Sequence, residues 1–254
     1  MSSTTILLCV SVTAFLVQTC YGGATAEATG PLFHFCSDSG GNFTAHSPFE
    51  SNLKTLINSL IYKTPPTGFA VSTIGQPQNQ QAYGLALCRG DASPQDCKTC
   101  LSEATKELRS RCQYNTGAII WYDYCEFKYL DTDFFGQVDN TNKFYMWNLN
   151  NVTDSTAFNH KTKELLSKLA LEASTNPKLY ASGEMKLGGG GESNNNKMLY
   201  GLTQCTRDVS SVDCKKCLDE AISELPNCCD GKQGGRVVGG SCNFRYEIYP
   251  FLNN

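Results

Sequence analysis

The chain has 254 residues, with 21 Lys and Arg against 24 Asp and Glu, and its net charge at pH 7 is −3. No basic run is longer than Lys215-Lys216, which argues against a nucleic-acid partner because such proteins carry a positively charged patch. Fourteen cysteines favour an oxidising compartment and disulfide bonds.

The first segment predicts export from the cell. Residues 6–17 form an apolar run of signal-peptide length and small residues follow near Gly22, so residues 1–23 are predicted to be a cleaved signal peptide. The alternative is a signal anchor, but the run is short for a membrane span. No later run approaches about 18 apolar residues, so we expect a secreted, extracellular protein without a membrane span.

The first half of the chain is predicted to contain three strands and two helices. Residues 81–88 predict a strand, residues 97–109 a helix, and residues 117–122 and 125–129 two further strands. An earlier helix is indicated by apolar residues at the spacing of one helical face: Phe49, Leu53, Leu56, Ile57 and Leu60.

The second half repeats this plan. After a polar linker at residues 131–143, strands are predicted at 197–205, 235–239 and 242–249, a helix at 214–225, and a flexible loop at 188–196. A helical face is formed by Phe158, Leu165, Leu166, Leu169 and Ala170. Strands and helices do not alternate strictly, so the predicted fold class is α+β, with an antiparallel sheet and two helices in each of two tandem domains.

The cysteines place the two halves in register. Cys88-x8-Cys97-x2-Cys100 recurs 117 residues later, and five cysteines return at that offset: Cys205, Cys214, Cys217, Cys229 and Cys242. A period of this length means two whole domains and not a solenoid. Loss of the leader removes Cys9 and Cys20 and leaves six cysteines in each repeat, an even number that predicts disulfides.

The sequence gives little support for metal binding, dithiol redox chemistry or catalysis. The Cys-x2-Cys spacing also suits zinc or a redox dithiol, but the only histidines are His34, His46 and His160, and none of them recurs in register. No nucleophile–base pair stands out, so we predict no catalytic residue, metal or cofactor. Two sequons, at Asn42 and Asn151, predict N-glycosylation.

An aromatic-rich stretch follows the fourth cysteine of the first repeat. Residues 121–129 include Trp121, Tyr124 and Phe127, which could form a ligand surface but more often pack a core or a domain interface. Residues 118–121 and 237–238 are apolar β stretches in the two repeats. Because burying them removes apolar area from water, we predict that the two sheets dock into one compact body.

The cysteine pattern resembles that of a known family. Two copies of Cys-x8-Cys-x2-Cys behind a leader, together with residues 228–236 (CCDGKQGGR) and 245–251 (RYEIYPF), are similar to the plant cysteine-rich repeat secretory proteins. These are built from ginkbilobin-homologous, salt-stress/antifungal domains, which would here be residues 29–133 and 140–251. The resemblance implies a secreted, apoplastic defence or stress protein, and the same domain pair forms ectodomains of cysteine-rich receptor-like kinases and of plasmodesmata-located proteins.

The resemblance also implies a set of disulfides. The family pattern carried onto this sequence gives Cys36–Cys112, Cys88–Cys97, Cys100–Cys125, Cys205–Cys214 and Cys217–Cys242. The second repeat departs from the pattern, because Trp147 holds the place of Cys36 and Cys228 has appeared beside Cys229. These neighbours form either a strained vicinal bridge, or a free or intermolecular pair.

The resemblance further implies a mannose-binding triad in the second domain: Asn148, Arg236 and Glu247. Ser37, Ile119 and Leu130 hold those places in the first domain, which therefore lacks the triad. Arg and Asn donate to hydroxyl groups and Glu accepts from them, so the chemistry suits a sugar. The alternative is a surface Arg236–Glu247 ion pair with Asn148 in a turn. The partner is thus a mannose-type glycan or, alternatively, a receptor ectodomain; a third hypothesis is a thiol redox or sensor protein.

Overall fold

The computed structural model describes residues 30–76, 80–188 and 197–253. The predicted signal peptide at residues 1–23 and most of the predicted loop at 188–196 lie outside the described residues. Within the described ranges, no helix combines the length and the hydropathy that crossing a membrane requires.

Domain 1 contains one five-stranded antiparallel sheet and two helices. The strand order is β1-β4-β5-β3-β2. Its elements are β1 (Phe33–Asn42), α1 (Pro48–Lys63), β2 (Phe69–Ile74), β3 (Ala82–Cys88), α2 (Pro94–Arg111), β4 (Asn115–Trp121) and β5 (Cys125–Leu130).

Domain 2 repeats the architecture with the strand order β6-β9-β10-β8-β7. Its elements are β6 (Lys143–Trp147), α3 (Ser155–Thr175), β7 (Tyr180–Lys186), β8 (Met198–Cys205), α4 (Ser211–Ser223), the single turn α5 (Leu225–Cys228), β9 (Gly234–Gly239) and β10 (Cys242–Glu247). The predicted α+β class, with two tandem disulfide-stapled domains, is confirmed.

Capping residues explain why two helices begin earlier than predicted. The Ser93 side chain accepts a hydrogen bond from the Asp96 N–H, and Pro94 occupies the first turn, so α2 starts before Cys97. Ser210 caps α4 in the same way, through the Asp213 N–H. The structure also contains four strands that the sequence did not predict, namely β1, β2, β6 and β7. All four are edge strands and lack a continuous buried run.

The helices of each domain cover one face of its sheet. Leu56 and Leu60 of α1 lie directly against Gly84, and Leu165 and Leu169 of α3 against Gly201, the equivalent position. A side chain at Gly84 or Gly201 would force the tips of these leucines to shift, because its Cβ would lie 2.8 Å from Leu56 or 3.1 Å from Leu165. The aromatic residues that fill the two cores are fully buried: Phe127, Tyr129, Phe244 and Tyr246.

Six disulfides join the twelve described cysteines. Five are the pairs that the resemblance implies: Cys36–Cys112, Cys88–Cys97, Cys100–Cys125, Cys205–Cys214 and Cys217–Cys242. The sixth joins the neighbours Cys228 and Cys229.

The outer faces of the two sheets pack against each other, as predicted. Ile119, Trp121 and Val238 form a buried interdomain cluster with Phe144. Ala118 and Ile120 instead point into the core of domain 1, because successive residues of a strand face opposite sides. The predicted compact body is confirmed, and alternate residues of the predicted apolar stretches form the contact.

Candidate binding site at the domain interface

The structure brings the three predicted sugar-binding residues to one corner of the second sheet. In the β9–β10 register, Arg236 lies opposite Arg245 and Gly234 lies opposite Glu247. The Asn148 N–H donates to the Gly234 carbonyl at 2.9 Å, so Asn148 flanks the same glycine from the other side. The Glu247 carboxylate lies over Gly234, where any side chain would collide with it.

The strand register supports the placement of Asn148, which no cysteine anchors. Cys36 pairs with Ala118 in domain 1, and Trp147 pairs with Gly235 in domain 2. Ala118 and Gly235 are 117 residues apart, so Trp147 stands where domain 1 has Cys36. Asn148 is therefore the counterpart of Ser37.

Arg236 is held by domain 1. Its Nη1 donates to Oδ1 of Asp123 at 2.5 Å, across the domain boundary. Asp123 lies between β4 and β5. Its carboxylate also forms ion pairs with Nη1 of Arg245 at 3.3 Å and with Nη1 of Arg89 at 3.4 Å. Burial alone would raise the pKa of Asp123, but the three guanidinium groups hold it below its ordinary value.

Glu247 is held within domain 2. It accepts a hydrogen bond from Nε of Arg245 at 3.0 Å, and its side chain is only 9% exposed. The alternative of a surface Arg236–Glu247 ion pair is therefore wrong, because each residue has a different partner and both are largely buried. The other part of that alternative fits, since the Asn148 side chain accepts from the Asn150 N–H in a local turn.

The segment after β10 covers this polar cluster. The Arg245 guanidinium lies 4.0 Å from the centre of the Phe251 ring, and it donates to the Tyr249 hydroxyl. The Phe251 carbonyl accepts from Arg89 of domain 1 at 3.4 Å. The segment thus closes over the arginines and ties the end of domain 2 to domain 1.

Sequence reasoning missed Arg89, Asp123 and Arg245. Arg245 was detectable, because it lies two residues before Glu247 on the same strand and so faces the same side. Asp123 and Arg89 could not be predicted, because both belong to the other domain and no local sequence pattern indicates a contact between domains.

The closed cluster leaves little room for a ligand. A cavity of about 50 Å³ lies between the sheets, lined by Arg89, Asp123, Arg236 and Arg245 among others. Sites for small molecules enclose roughly 300–1,000 Å³. A monosaccharide on Arg236 therefore has to displace Asp123 or the segment after β10.

The equivalent corner of domain 1 is open. Ser37, Ile119 and Leu130, the counterparts of the triad, line a groove of about 460 Å³ beneath the interdomain linker. The linker also supplies Asp139, which pairs with Lys128 at 2.7 Å. Burial opposes ionisation of Asp139, yet Lys128 lowers its pKa to about 2.

The two domains contact each other reciprocally. The Gly136 N–H donates to Asp208 at 3.0 Å, and the Asn253 N–H donates to Asp91 at 2.8 Å. Both donors and both acceptors are 117 residues apart in the chain. Each domain therefore holds the segment that follows the last strand of the other, through the same position.

The two predicted glycosylation sites can be located, and one cluster that the sequence did not predict contains possible metal ligands. The sequon residues Asn42 and Asn151 are exposed, and Asn151 accepts a hydrogen bond from Lys232 at 2.8 Å. His34, Cys36 and Cys112 come close enough to hold a metal. The two sulfur atoms are joined in a disulfide, however, and so are not thiolate ligands.

The sequence is similar to a known protein family and to named plant proteins. The sequence matches the salt stress response/antifungal family at residues 35–132 and again at 146–249. It is 58% identical over 223 residues to an antimicrobial ginkbilobin-2-like protein of Castanea crenata, covering 88% of this chain and 89% of that one. It is 56% identical to cysteine-rich repeat secretory protein 38 of Arabidopsis thaliana, covering 87% of this chain and 85% of that one.

Solved structures show the same tandem arrangement. The ectodomain of the Arabidopsis thaliana cysteine-rich receptor-like protein PDLP5, a tandem DUF26 structure, aligns with a TM-score of 0.69 and 26% identity, over 87% of this chain and 100% of that one. The corresponding ectodomain of PDLP8 aligns with a TM-score of 0.73 over 87% of this chain and 98% of that one; at 24% identity, that likeness concerns the fold alone.

Proposed function

This chain belongs to the salt stress response/antifungal family of secreted proteins, and from that premise we propose that it is a non-enzymatic plant defence or stress protein that binds a receptor ectodomain in the apoplast. The proposal is based on the Arg236–Asp123 ion pair. Arg236, which the resemblance implies as a donor to the sugar, is bonded to domain 1 instead. A partner then has to use the outside of the two-domain body.

The edge of domain 2 offers such a surface. It consists of exposed side chains on one face of the edge strand β6, Tyr145 and Trp147, and of Leu149 just after the strand. Trp147 is 50% exposed and Leu149 is 88% exposed, and the two residues are close in the chain. Aromatic residues of this kind frequently dominate the binding energy of protein interfaces.

The test is binding to the ectodomain of a receptor-like kinase of the same plant, measured by surface plasmon resonance. We expect Trp147→Ser combined with Leu149→Ser to weaken binding at least about tenfold, because hot-spot residues contribute about 2 kcal/mol or more. Tyr62→Ser is the matched control, since Tyr62 is 83% exposed but lies on domain 1. Equal binding by the double variant and the wild type would reject this surface.

The second function is binding of a mannose-type glycan by domain 2. It is favoured by the meeting of Asn148, Arg236 and Glu247 around Gly234. In this arrangement Asp123 competes with the sugar for Arg236, so Asp123→Asn should raise the affinity for mannose, while Arg236→Ala and Glu247→Ala should abolish binding. Calorimetric titration with methyl mannoside decides between the outcomes. Absence of saturable binding in both the wild type and Asp123→Asn would exclude the glycan.

A further inference from the structure

The bridge between Cys228 and Cys229 differs from the other five disulfides in its covalent setting. Its cysteines are adjacent, and their Cα atoms are 3.8 Å apart. In the other bridges the Cα atoms are 5.4 to 6.1 Å apart, and the sequence separations run from 9 to 76 residues. Disulfides normally join Cα atoms about 4.4–6.8 Å apart, and bridges outside that range are easier to reduce.

The two cysteines of this bridge also differ in exposure. Cys229 is buried at 1% exposure, whereas Cys228, at the end of α5, packs against the core of domain 2 but is only half-buried. Of the twelve described cysteines, only Cys228 and Cys36 are not buried. A thiol arriving from solvent therefore reaches the vicinal bridge at Cys228.

The fold explains why Cys229 has no other partner. It is the counterpart of Cys112, and its Sγ lies over β9 at Gly235, where a side chain would collide with it. In domain 1 the equivalent sulfur atom bonds to Cys36 on the neighbouring strand. Trp147 stands opposite Gly235 instead, so among the described cysteines the one left for Cys229 is Cys228.

Opening this bridge barely changes the conformational entropy of the unfolded chain. A disulfide stabilises a fold mainly by closing a loop in the unfolded chain, and a bridge between neighbours closes almost none. The hydrogen bond from the Tyr246 hydroxyl to the Cys229 carbonyl holds this turn independently of the sulfur atoms. The folded state is thus compatible with an open bridge at this position.

We propose that Cys228–Cys229 is a thiol-exchange site at which a low-molecular-weight thiol is attached reversibly to Cys228. The incoming thiolate attacks Sγ of Cys228 and forms a mixed disulfide, while the Cys228–Cys229 bond breaks and Sγ of Cys229 leaves as a thiolate. That thiolate takes a proton from solvent. Attack by the Cys229 thiolate on the mixed disulfide releases the small thiol and restores the bridge, so no net oxidation occurs over the cycle.

The test uses reduced glutathione on the folded, oxidised protein, with acid quenching, alkylation and peptide mapping by mass spectrometry. We expect one glutathione per chain on Cys228, with Cys229 as the alkylated thiol, at a concentration at least about tenfold below that which opens any other bridge. The melting temperature of the adduct should stay within a few degrees of the unmodified protein. Earlier opening of Cys36–Cys112, or no adduct before unfolding, would overturn the proposal.

Trp147→Cys is the matched variant. Its new thiol stands where domain 1 has Cys36, so it should capture Cys229 and leave Cys228 as one free thiol per chain without any reductant. Glutathione exchange at Cys228 should then be lost. If that variant fails to fold, Cys228→Ser serves instead, and Cys229 should then resist alkylation until the protein unfolds. Persistence of the glutathione adduct in either folded variant would contradict the assigned site.

Discussion

Domain 1 and domain 2 share one strand order but secure the N-terminal edge of the sheet differently. In domain 1 the Cys36–Cys112 bridge ties edge strand β1 to the end of α2. In domain 2 the equivalent strand β6 has no bridge. It is held by ladder hydrogen bonds to β9 and by an ion pair between Lys143 and Glu224, at 3.0 Å. The same edge can therefore be fixed either covalently or by non-covalent contacts.

The missing bridge in domain 2 leaves Cys229 without a partner on the edge strand. Without a partner on β6, Cys229 bonds to its neighbour, and Trp147 is left half exposed at the edge. Domain 1 buries or bonds the same positions. Domain 2 thus acquires an exposed tryptophan at its edge and a vicinal disulfide from two departures from the shared pattern, Trp147 in place of Cys36 and Cys228 in place of Arg111.

Removal of the Cys36–Cys112 bridge of domain 1 should have the largest effect on stability. Cys36→Ala with Cys112→Ala should lower the free energy of unfolding by about 4 kcal/mol, because loop-closure entropy grows with loop length and the closed loop spans 76 residues. Cys228→Ala with Cys229→Ala should cost about 1 kcal/mol or less, since almost no loop is opened. Denaturant unfolding of both double variants measures the difference, and equal losses would show that loop closure is not the cause.

A smaller effect is expected where the domains meet. Phe33 and Phe144 are equivalent residues and stack on each other with ring centres 5.2 Å apart, yet Phe144 is 8% exposed and Phe33 is 43% exposed. Phe144→Ala should cost about 3 kcal/mol, as for other buried Phe residues, and loosen the docking of the domains. Phe33→Ala should cost about 1 kcal/mol, because less apolar area leaves water. Thermal melts with small-angle scattering compare the two, and a larger loss for Phe33→Ala would reverse the assignment.

A pH-dependent effect is expected at a buried acid that domain 2 replaces with an amide. Burial raises the pKa of Glu126 well above its ordinary 4.5, and its Oε1 has no hydrogen-bond partner among the described residues. Its counterpart, 117 residues later, is Asn243. A raised folded-state pKa means that stability is fully present below about pH 4.5 and declines as the pH rises toward the folded-state pKa.

Glu126→Gln should therefore stabilise the protein at pH 7, by about 1.4 kcal/mol for each unit by which the pKa of Glu126 is raised up to pH 7, and change little near pH 4. Unfolding midpoints across pH 4 to 8 test this expectation. A gain that is independent of pH would assign the effect to packing and not to the ionisation of Glu126.

Much of the fold was readable from local patterns. The helical spacing of Leu53, Leu56 and Leu60 predicted α1, and the repeated cysteines predicted two domains. The four edge strands were missed because their residues are not buried continuously, so neither strict alternation nor an apolar run marks them. The family resemblance predicted Asn148, Arg236 and Glu247 as a sugar site, and the structure brings them to one corner of the sheet, but sugar binding stays a prediction and the partners of these residues were not predicted. Asp123 and Arg89 belong to the other domain, and a contact at such sequence distance leaves no periodic signal.

The reciprocal hold of Gly136 on Asp208 and of Asn253 on Asp91 has the geometry of a homodimer whose subunits have been fused. In a true homodimer, one substitution alters both copies of an interface contact. Here each copy varies alone: Gly240 stands where domain 1 has Asp123, and Lys128 stands where domain 2 has Arg245. Because both domains belong to one chain, one copy of an equivalent contact can change and take a new role while the other copy keeps the domains together.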